Sequence, residues 1–328
     1  MSPTRTPTGL VPILATPFDD TGALDLFSLR TLVEFQLAAG ADGLAVFGMA
    51  SEGFALTAEE RRAVLREVRT VAGPDVPLVA GVNGTGTVVA VEQARLAADG
   101  GADQLMVLPP FLAKPNRRQV IDFYGALAAA TDASVMVQDA PGVTGVAIDA
   151  AAIGVLATVP GITSVKVEAP PTPVKMAAVA AAAGPGFAVL GGLNAAALCE
   201  EYANGSVGTM PACEFTDLLR PVLDDLAAGR TAAARAGFTR LLPLIHLGMR
   251  PGQAWAVHKE VLRRRGVIAS AAVRLPAQDL DPLTARALDD VLADLELAPA
   301  TGRVPAGRRE GAEPGNAGPQ RAGRAGVR

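Results

Sequence analysis

The sequence predicts an α/β fold: a closed (β/α)8 TIM barrel with a C-terminal helical extension. Three observations carry that reading. Eight short apolar runs alternate with eight helical patterns, at intervals of roughly 20 to 35 residues, as expected for a parallel sheet with right-handed crossovers. No Gly-rich dinucleotide fingerprint follows the first strand, which disfavours an open doubly wound sheet. After about Gly229 the strand patterns stop while helical ones continue. Residues 1–8 read as a flexible N-terminus, 9–229 as the barrel and 230–297 as the helical region. Residues 298–328, rich in Gly, Pro, Arg and Ala, read as a disordered tail with almost nothing to bury.

Each element has its own signal. Leu10 to Thr16 is an apolar strand closed by Pro17. Asp25 opens a helix with Leu26, Leu29, Leu32, Val33 and Leu37 on one side, ending near Gly40. Gly43 to Phe47 is the next strand, and Thr57 with Glu60 forms a capping box that starts the second helix. Strands follow at Val76–Gly81, Gln104–Leu108 and Val135–Gln138, with helices to Asp99 and from about Asn116 between them. The loop 139–145 and an Ala/Ile/Leu helix lead to strand six, Ile162 to Glu168. Strands seven and eight are Phe187–Leu190 and Ser206–Met210. Three helices, Thr231–Leu247, Gln253–Arg265 and Pro282–Leu297, complete the extension.

Composition narrows the function classes. Half of the 328 residues are hydrophobic and only 4% aromatic, enough for a large aliphatic core. A net charge of −4 argues against nucleic acid or an anionic membrane as partner. Cys199 and Cys213 form neither a disulfide nor a metal pattern, which fits a reducing cytoplasm. No apolar run approaches the roughly 18 residues that a membrane span needs. The expectation is a soluble, cytoplasmic protein.

Strand six carries the chemistry. Pro160-Gly161 and Pro170-Pro171 bound it, and side-chain alternation puts Ile162, Ser164, Lys166 and Glu168 on one face, Val165 and Val167 on the other. A lysine thus occupies a position where a buried strand normally holds an aliphatic. Holding an ammonium there costs several kcal/mol unless it is paired or gives up its proton. Only four lysines stand against twenty-five arginines, so a positive charge alone does not explain the choice. Arginine does not deprotonate and cannot form an imine, whereas lysine can. The alternative is a strand-end lysine reaching to solvent.

Barrel enzymes work at the carboxyl ends of their strands. The loops there are Thr16–Phe18, Gly48–Gly53, Asn83–Thr85, Pro109–Phe111, Gln138-Asp139, Lys166–Glu168, Gly191–Asn194 and Met210–Glu214. They hold one amine, few carboxylates and no histidine. His246 and His258 fall in the helical extension, so no metal centre is expected. The backbone N–H groups of Gly48 to Gly53, near a helix start, suit a substrate carboxylate, or form an ordinary tight turn. No phosphate grip follows strands seven and eight.

Taken together, Ala15-Thr16-Pro17-Phe18, the Gly48–Glu52 loop, Pro141-Gly142-Val143-Thr144-Gly145, the lysine strand and Leu190-Gly191-Gly192 resemble the pyruvate-dependent class I aldolases. This is the family of dihydrodipicolinate synthase and N-acetylneuraminate lyase, and the resemblance spans residues of about 8 to 297. It implies that Lys166 is the Schiff-base lysine for pyruvate or another 2-oxo acid. It also implies that the turn around Ala50 and Ser51 binds the carboxylate, and that Gly192 and Gly208 line the pocket. No cofactor is implied, and the partner is a further copy of the chain, as a homo-oligomer (tetramer or dimer). Gln138 stands where the family has its relay tyrosine, Met49 where it has the relay threonine, and Phe111 at the second tyrosine. Val143 replaces the arginine that binds a distal carboxylate in dihydrodipicolinate synthases. Met49, Phe111 and Val143 remain substrate-facing positions, and Glu168, one step above Lys166 on its face, is the candidate replacement proton carrier. The expected activity is a lyase performing aldol cleavage, condensation or dehydration on a 2-oxo acid. The alternative is a catalytically weakened barrel that binds a small carboxylate as a sensor or assembly partner.

Overall fold

The computed structural model describes residues 6–297. The tail expected to be disordered, 298–328, lies outside the described residues. Of the N-terminal segment, Pro7 is buried and the Thr6 hydroxyl bonds that of Thr163 at 3.1 Å.

Eight parallel strands form the sheet: β1 (Gly9–Leu10), β2 (Leu44–Val46), β3 (Leu78–Val82), β4 (Gln104–Val107), β5 (Ser134–Asp139), β6 (Ile162–Val167), β7 (Ala188–Gly191) and β8 (Gly208–Thr209). Their order is β1-β8-β7-β6-β5-β4-β3-β2. Ile13 bridges both Ala45 and Ala212, which joins the ends of that order into a ring. The predicted barrel is therefore the observed one. The helices between the strands are α1 (Leu26–Ala38), α2 (Ala58–Ala72), α3 (Thr87–Asp99), α4 (Arg117–Ala128), α5 (Pro141–Thr144), α6 (Ala150–Leu156), α7 (Thr172–Ala183) and α8 (Leu198–Ala203). After the last strand come α9 (Thr216–Ala227), α10 (Thr231–Leu247), α11 (Ala254–Arg264) and α12 (Pro282–Leu295).

Start signals are satisfied where expected. Asp25 accepts from the Ser28 N–H at 3.0 Å, and Thr57 and Glu60 exchange both bonds of a capping box. The first and last strands are shortened most relative to the prediction. β1 stops after Leu10 because Pro12 has no N–H for the ladder, although its carbonyl still accepts from Ala45 at 3.0 Å. In β8, the Ser206 hydroxyl bonds the Gly208 carbonyl at 2.6 Å, a local bond that competes with strand pairing. The loop after β5 contains α5, a single helical turn where the sequence predicts loop.

Alternation splits the core into two layers. Outward residues such as Val46, Ala80, Val107, Val137, Val165 and Val167 pack under the helices. Val11, Ile13, Ala45, Val79, Met106, Met136, Leu190 and Met210 fill the barrel interior. A third cluster, including Leu10, Phe215, Leu219, Phe238, Leu244, Val257 and Leu288, binds the C-terminal helices to the barrel. Among the described residues no helix is long and apolar enough to cross a membrane.

A buried charge cluster ties the extension to the β2 loop. Lys259 of α11 pairs with Glu52, their side chains 1% and 0% exposed, and donates to the Ala272 carbonyl at 2.7 Å. Burial pushes the Lys259 ammonium down to about 8, and Glu52 opposes that shift. The Phe18 ring lies between this ammonium and the Arg274 guanidinium, each 4.1 Å from its centroid. Arg274 in turn gives its backbone N–H to Glu52 at 2.8 Å and its guanidinium to Glu60 at 2.6 Å. Lys259→Met strands the Glu52 carboxylate in the interior, and we expect it to lower unfolding stability by about 3–5 kcal/mol in denaturant titration. Adding Glu52→Gln removes the stranded charge and should restore at least half of the loss. An unchanged midpoint in the single variant would show that Glu52 does not depend on Lys259.

Candidate active site

Gly161, at φ +89°, makes the turn that launches β6. Val165 and Val167 then point outward into the helical layer, and Ser164 and Lys166 point inward. Lys166 is only 4% exposed. Its burial is met by pairing: Nζ lies 3.1 Å from Glu168 Oε1. Gln138, opposite Lys166 in the β5–β6 register, donates from Nε2 to Glu168 Oε2 at 2.7 Å. The Leu193 N–H donates to Oε1 at 3.3 Å. Burial alone pushes the Glu168 carboxyl up, but the charge of Lys166 and these donors outweigh it and hold the group below the usual carboxylate range.

The loop after β7 shapes the other side of this carboxylate. A Cβ on Gly192 would lie 2.3 Å from Glu168 Cγ, so only glycine leaves room for the pair. Leu193, Asn194 and Ala195 then take left-handed backbone at φ 43°, 53° and 62°. Such conformations cost about 1–3 kcal/mol each for residues other than glycine. Asn194 holds the turn: its Oδ1 accepts from the Ala212 N–H at 2.9 Å and its Nδ2 donates to the Ile245 carbonyl at 3.3 Å. The result aims the Leu193 N–H at Glu168. Sequence reasoning missed this turn, whose sole trace was the preceding glycine pair.

Met49, Ala50 and Ser51 form a 3-10 turn after β2. Thr16 donates its hydroxyl to the Ser51 carbonyl at 2.7 Å, and the Trp255 indole donates to the Met49 carbonyl at 2.5 Å. Ala50 packs against the barrel-interior cluster, and the buried Ser51 Oγ has no partner among the described residues. Phe111 is half-buried. Its carbonyl accepts from Lys114 at 2.7 Å, and the same ammonium reaches the Thr144 carbonyl, joining the loops after β4 and β5. Val143 is 55% exposed on the second of those loops. Gly208 is in register with Lys166 through Leu190, but its inner face abuts the Gly9 backbone, 2.6 Å from where a Cβ would lie.

Lys166, Gln138, Glu168 and Gly192 thus form one bonded group, and Met49–Ser51 form a separate turn over the same interior. Phe111 and Val143 lie farther out. Met49, Gln138, Phe111 and Val143 carry no hydroxyl between them, so the acid–base group bonded beside Lys166 is Glu168. His258 lies in the extension as expected, on α11, and its Nδ1 lies 2.8 Å from Glu214 Oε1, just after β8. With 44 residues between the two, no local pattern could announce that contact. Among the described residues no group of three His, Cys, Asp or Glu side chains is arranged to hold a metal.

Comparison with known proteins shows which family the chain belongs to. The chain is 32% identical over 284 residues to L-2-keto-3-deoxyarabonate dehydratase of Azospirillum brasilense, covering 84% of this chain and 90% of that protein. It is 32% identical over 265 residues to 4-hydroxy-tetrahydrodipicolinate synthase of Methylococcus capsulatus, covering 79% and 90%. The crystal structure of chloride-inhibited dihydrodipicolinate synthase from Acinetobacter baumannii, complexed with pyruvate, superposes with a TM-score of 0.83 at 25% identity, covering 89% and 99%. The model of the dihydrodipicolinate synthetase family matches residues 6–295, and the chain belongs to that family.

Proposed function

We propose that this protein is a Schiff-base-forming lyase that dehydrates a 2-oxo-3-deoxy sugar acid, with Lys166 as nucleophile and Glu168 as proton carrier. The observation that carries the reading is the 3.1 Å contact between the buried Lys166 amine and a carboxylate fixed by Gln138 and the Leu193 N–H. The similarity to both a synthase and a dehydratase supports a lyase and leaves room for either outcome at the same imine. Aldol cleavage or condensation is the second reading, and it lacks the hydroxyl relay at positions 49, 111 and 138.

In this reading the substrate carboxylate binds at the Ala50–Ser51 turn, where the Ser51 hydroxyl is free to donate. Glu168 takes a proton from Lys166, and the freed amine attacks C2. Loss of the carbonyl oxygen as water gives the iminium. Glu168 then removes a C3 proton, and the electron pair moves into the iminium to give an enamine. The enamine expels the C4 hydroxyl, which leaves as water with the proton held by Glu168. Tautomerisation and hydrolysis return the amine and release a 2-oxo acid, so the net change is loss of one water. Gln138 holds Glu168, while Met49, Phe111, Val143, Gly192 and Gly208 shape the space around the chain of the substrate. No cofactor or metal enters. The enzyme is read as a cytoplasmic homo-oligomer, a state that light scattering measures directly.

Incubation with pyruvate and borohydride should add one reduced pyruvyl group to Lys166, seen by peptide mass analysis and absent in Lys166→Ala. An unmodified Lys166 across a panel of 2-oxo acids would sink the reading. Glu168→Gln should keep trapping but lower turnover of the sugar-acid substrate by ~10²–10⁴, the usual worth of a positioned acid–base group. Gly192→Ala pushes a methyl into Glu168 and should reduce turnover at least tenfold, with about 1–3 kcal/mol lost in stability from overpacking. Wild-type turnover in Gly192→Ala would mean that the observed position of Glu168 is not the working one.

A further inference from the structure

Outside the barrel a second carboxyl group faces the same glycine pair. Glu201 on α8 is fully buried, and its Oε1 accepts the Thr172 hydroxyl of α7 at 2.5 Å. Its Oε2 and the Thr209 hydroxyl of β8 have no partner among the described residues. Both crowd the point where Gly191 would carry a Cβ, at 2.1 and 3.5 Å. Gly192, the next residue, turns its opposite face to Glu168. Gly191 thus faces Glu201 and Gly192 faces Glu168, and neither puts a side chain between the two carboxyl groups. The register agrees: Leu190 lies beside Lys166, and Gly191 lies between Val167 and Thr209.

A buried carboxyl that forms no ion pair among the described residues is costly to keep, and an aliphatic at this position would pack without that cost. We propose that Glu201 is a positioning residue, whose carboxyl acts through the Gly191–Gly192 backbone to set how tightly the Lys166 amine holds its proton. This inference rests on Lys166 and Glu168 being the working pair proposed above. The charged groups that face Glu201 are Glu200 on its own helix and, through β7, Glu168 and Lys166. On α7 it meets the Thr172 hydroxyl, while Lys175 of that helix is engaged 3.0 Å from Asp139. Arg235 on α10 acts on neighbouring Cys199. Burial pushes the Glu201 carboxyl up to about 7, with Thr172 opposing and Glu200 and Glu168 adding to the rise. It therefore changes charge near neutrality. Ionised, it places a second negative charge behind Lys166; neutral, it removes that charge.

The test reads the Lys166 proton directly and needs no 2-oxo acid. Carbamylation of Lys166 by cyanate is followed against pH by peptide mass analysis in the wild type, Glu201→Gln and Thr172→Val. Glu201→Gln should move the midpoint of Lys166 reactivity to lower pH by roughly half to one unit, the size expected for one buried charge removed at this range. Thr172→Val, which takes away the donor that favours the ionised carboxyl, should move it the same way by less. A merely structural role would change folding stability and leave the midpoint in place. Superimposable midpoints in all three proteins, or a Lys166 that cyanate never reaches, would overturn the proposal. Pyruvate trapping judges the imine reading separately, so failure of one is not mistaken for failure of the other.

Discussion

The contact between Lys166 and Glu168 is the constraint around which the top of the barrel is built. An ammonium inside an aliphatic ring of strands needs a partner of opposite charge, and a carboxylate placed there needs donors for its remaining lone pairs. Gln138 supplies one from the neighbouring strand and the Leu193 N–H supplies another from the loop after β7. Meeting the second demand requires a glycine at position 192 and a left-handed turn through Leu193, Asn194 and Ala195. That turn is in turn anchored by Asn194 to the β8 loop and to the end of α10. A single buried charge thus dictates backbone conformation over three strands and one helix of the extension.

The Glu52–Lys259 pair shows a different use of the same physics. Both side chains are more deeply buried than those of the first pair, and around them lie the Phe18 ring, Arg274 and the Ala272 carbonyl. The Lys259 ammonium and the Arg274 N–H both reach Glu52, which joins the extension to the loop after β2. Such a pair fixes where the C-terminal helices dock and so fixes Trp255, which holds the Met49 carbonyl over the barrel. The extension is therefore part of the machinery that positions the Ala50–Ser51 turn.

Most of the fold was legible in the sequence because barrel strands and helices announce themselves locally. Asp25, Thr57 and Asn116 signal their helices through short-range bonds, and the fully buried strands through apolar runs. Lys166 stood out for the same reason, as a charge inside such a run, and Glu168 followed from strand parity. What could not be read is what depends on distant chain segments. The left-handed turn of Leu193 to Ala195 has no local signature, because its stabilising contacts come from Ala212 and Ile245. Glu201 sits in an unremarkable helical stretch, and only the fold brings it to Gly191. His258 looked remote from the strand loops until α11 carried it to Glu214.

Under the proposed function, a carboxylate in place of hydroxyl groups also bears on which bond is broken. A chain of hydroxyls passes protons between distant sites and suits condensation, where the proton must travel to or from an aldehyde oxygen. A lone carboxylate 3.1 Å from the Lys166 nitrogen reaches only atoms close to it. In the proposed dehydration, the nitrogen, the C3 hydrogen and the C4 hydroxyl are the places at which Glu168 would move a proton between iminium formation and loss of the hydroxyl, and all belong to the atoms nearest Lys166. Glu168 can serve them in succession without a relay, because the proton taken from C3 is the one the leaving hydroxyl needs. The absence of side-chain hydroxyls at positions 49, 111 and 138 then ceases to be a deficit, since a pathway that never hands its proton onward does not use them.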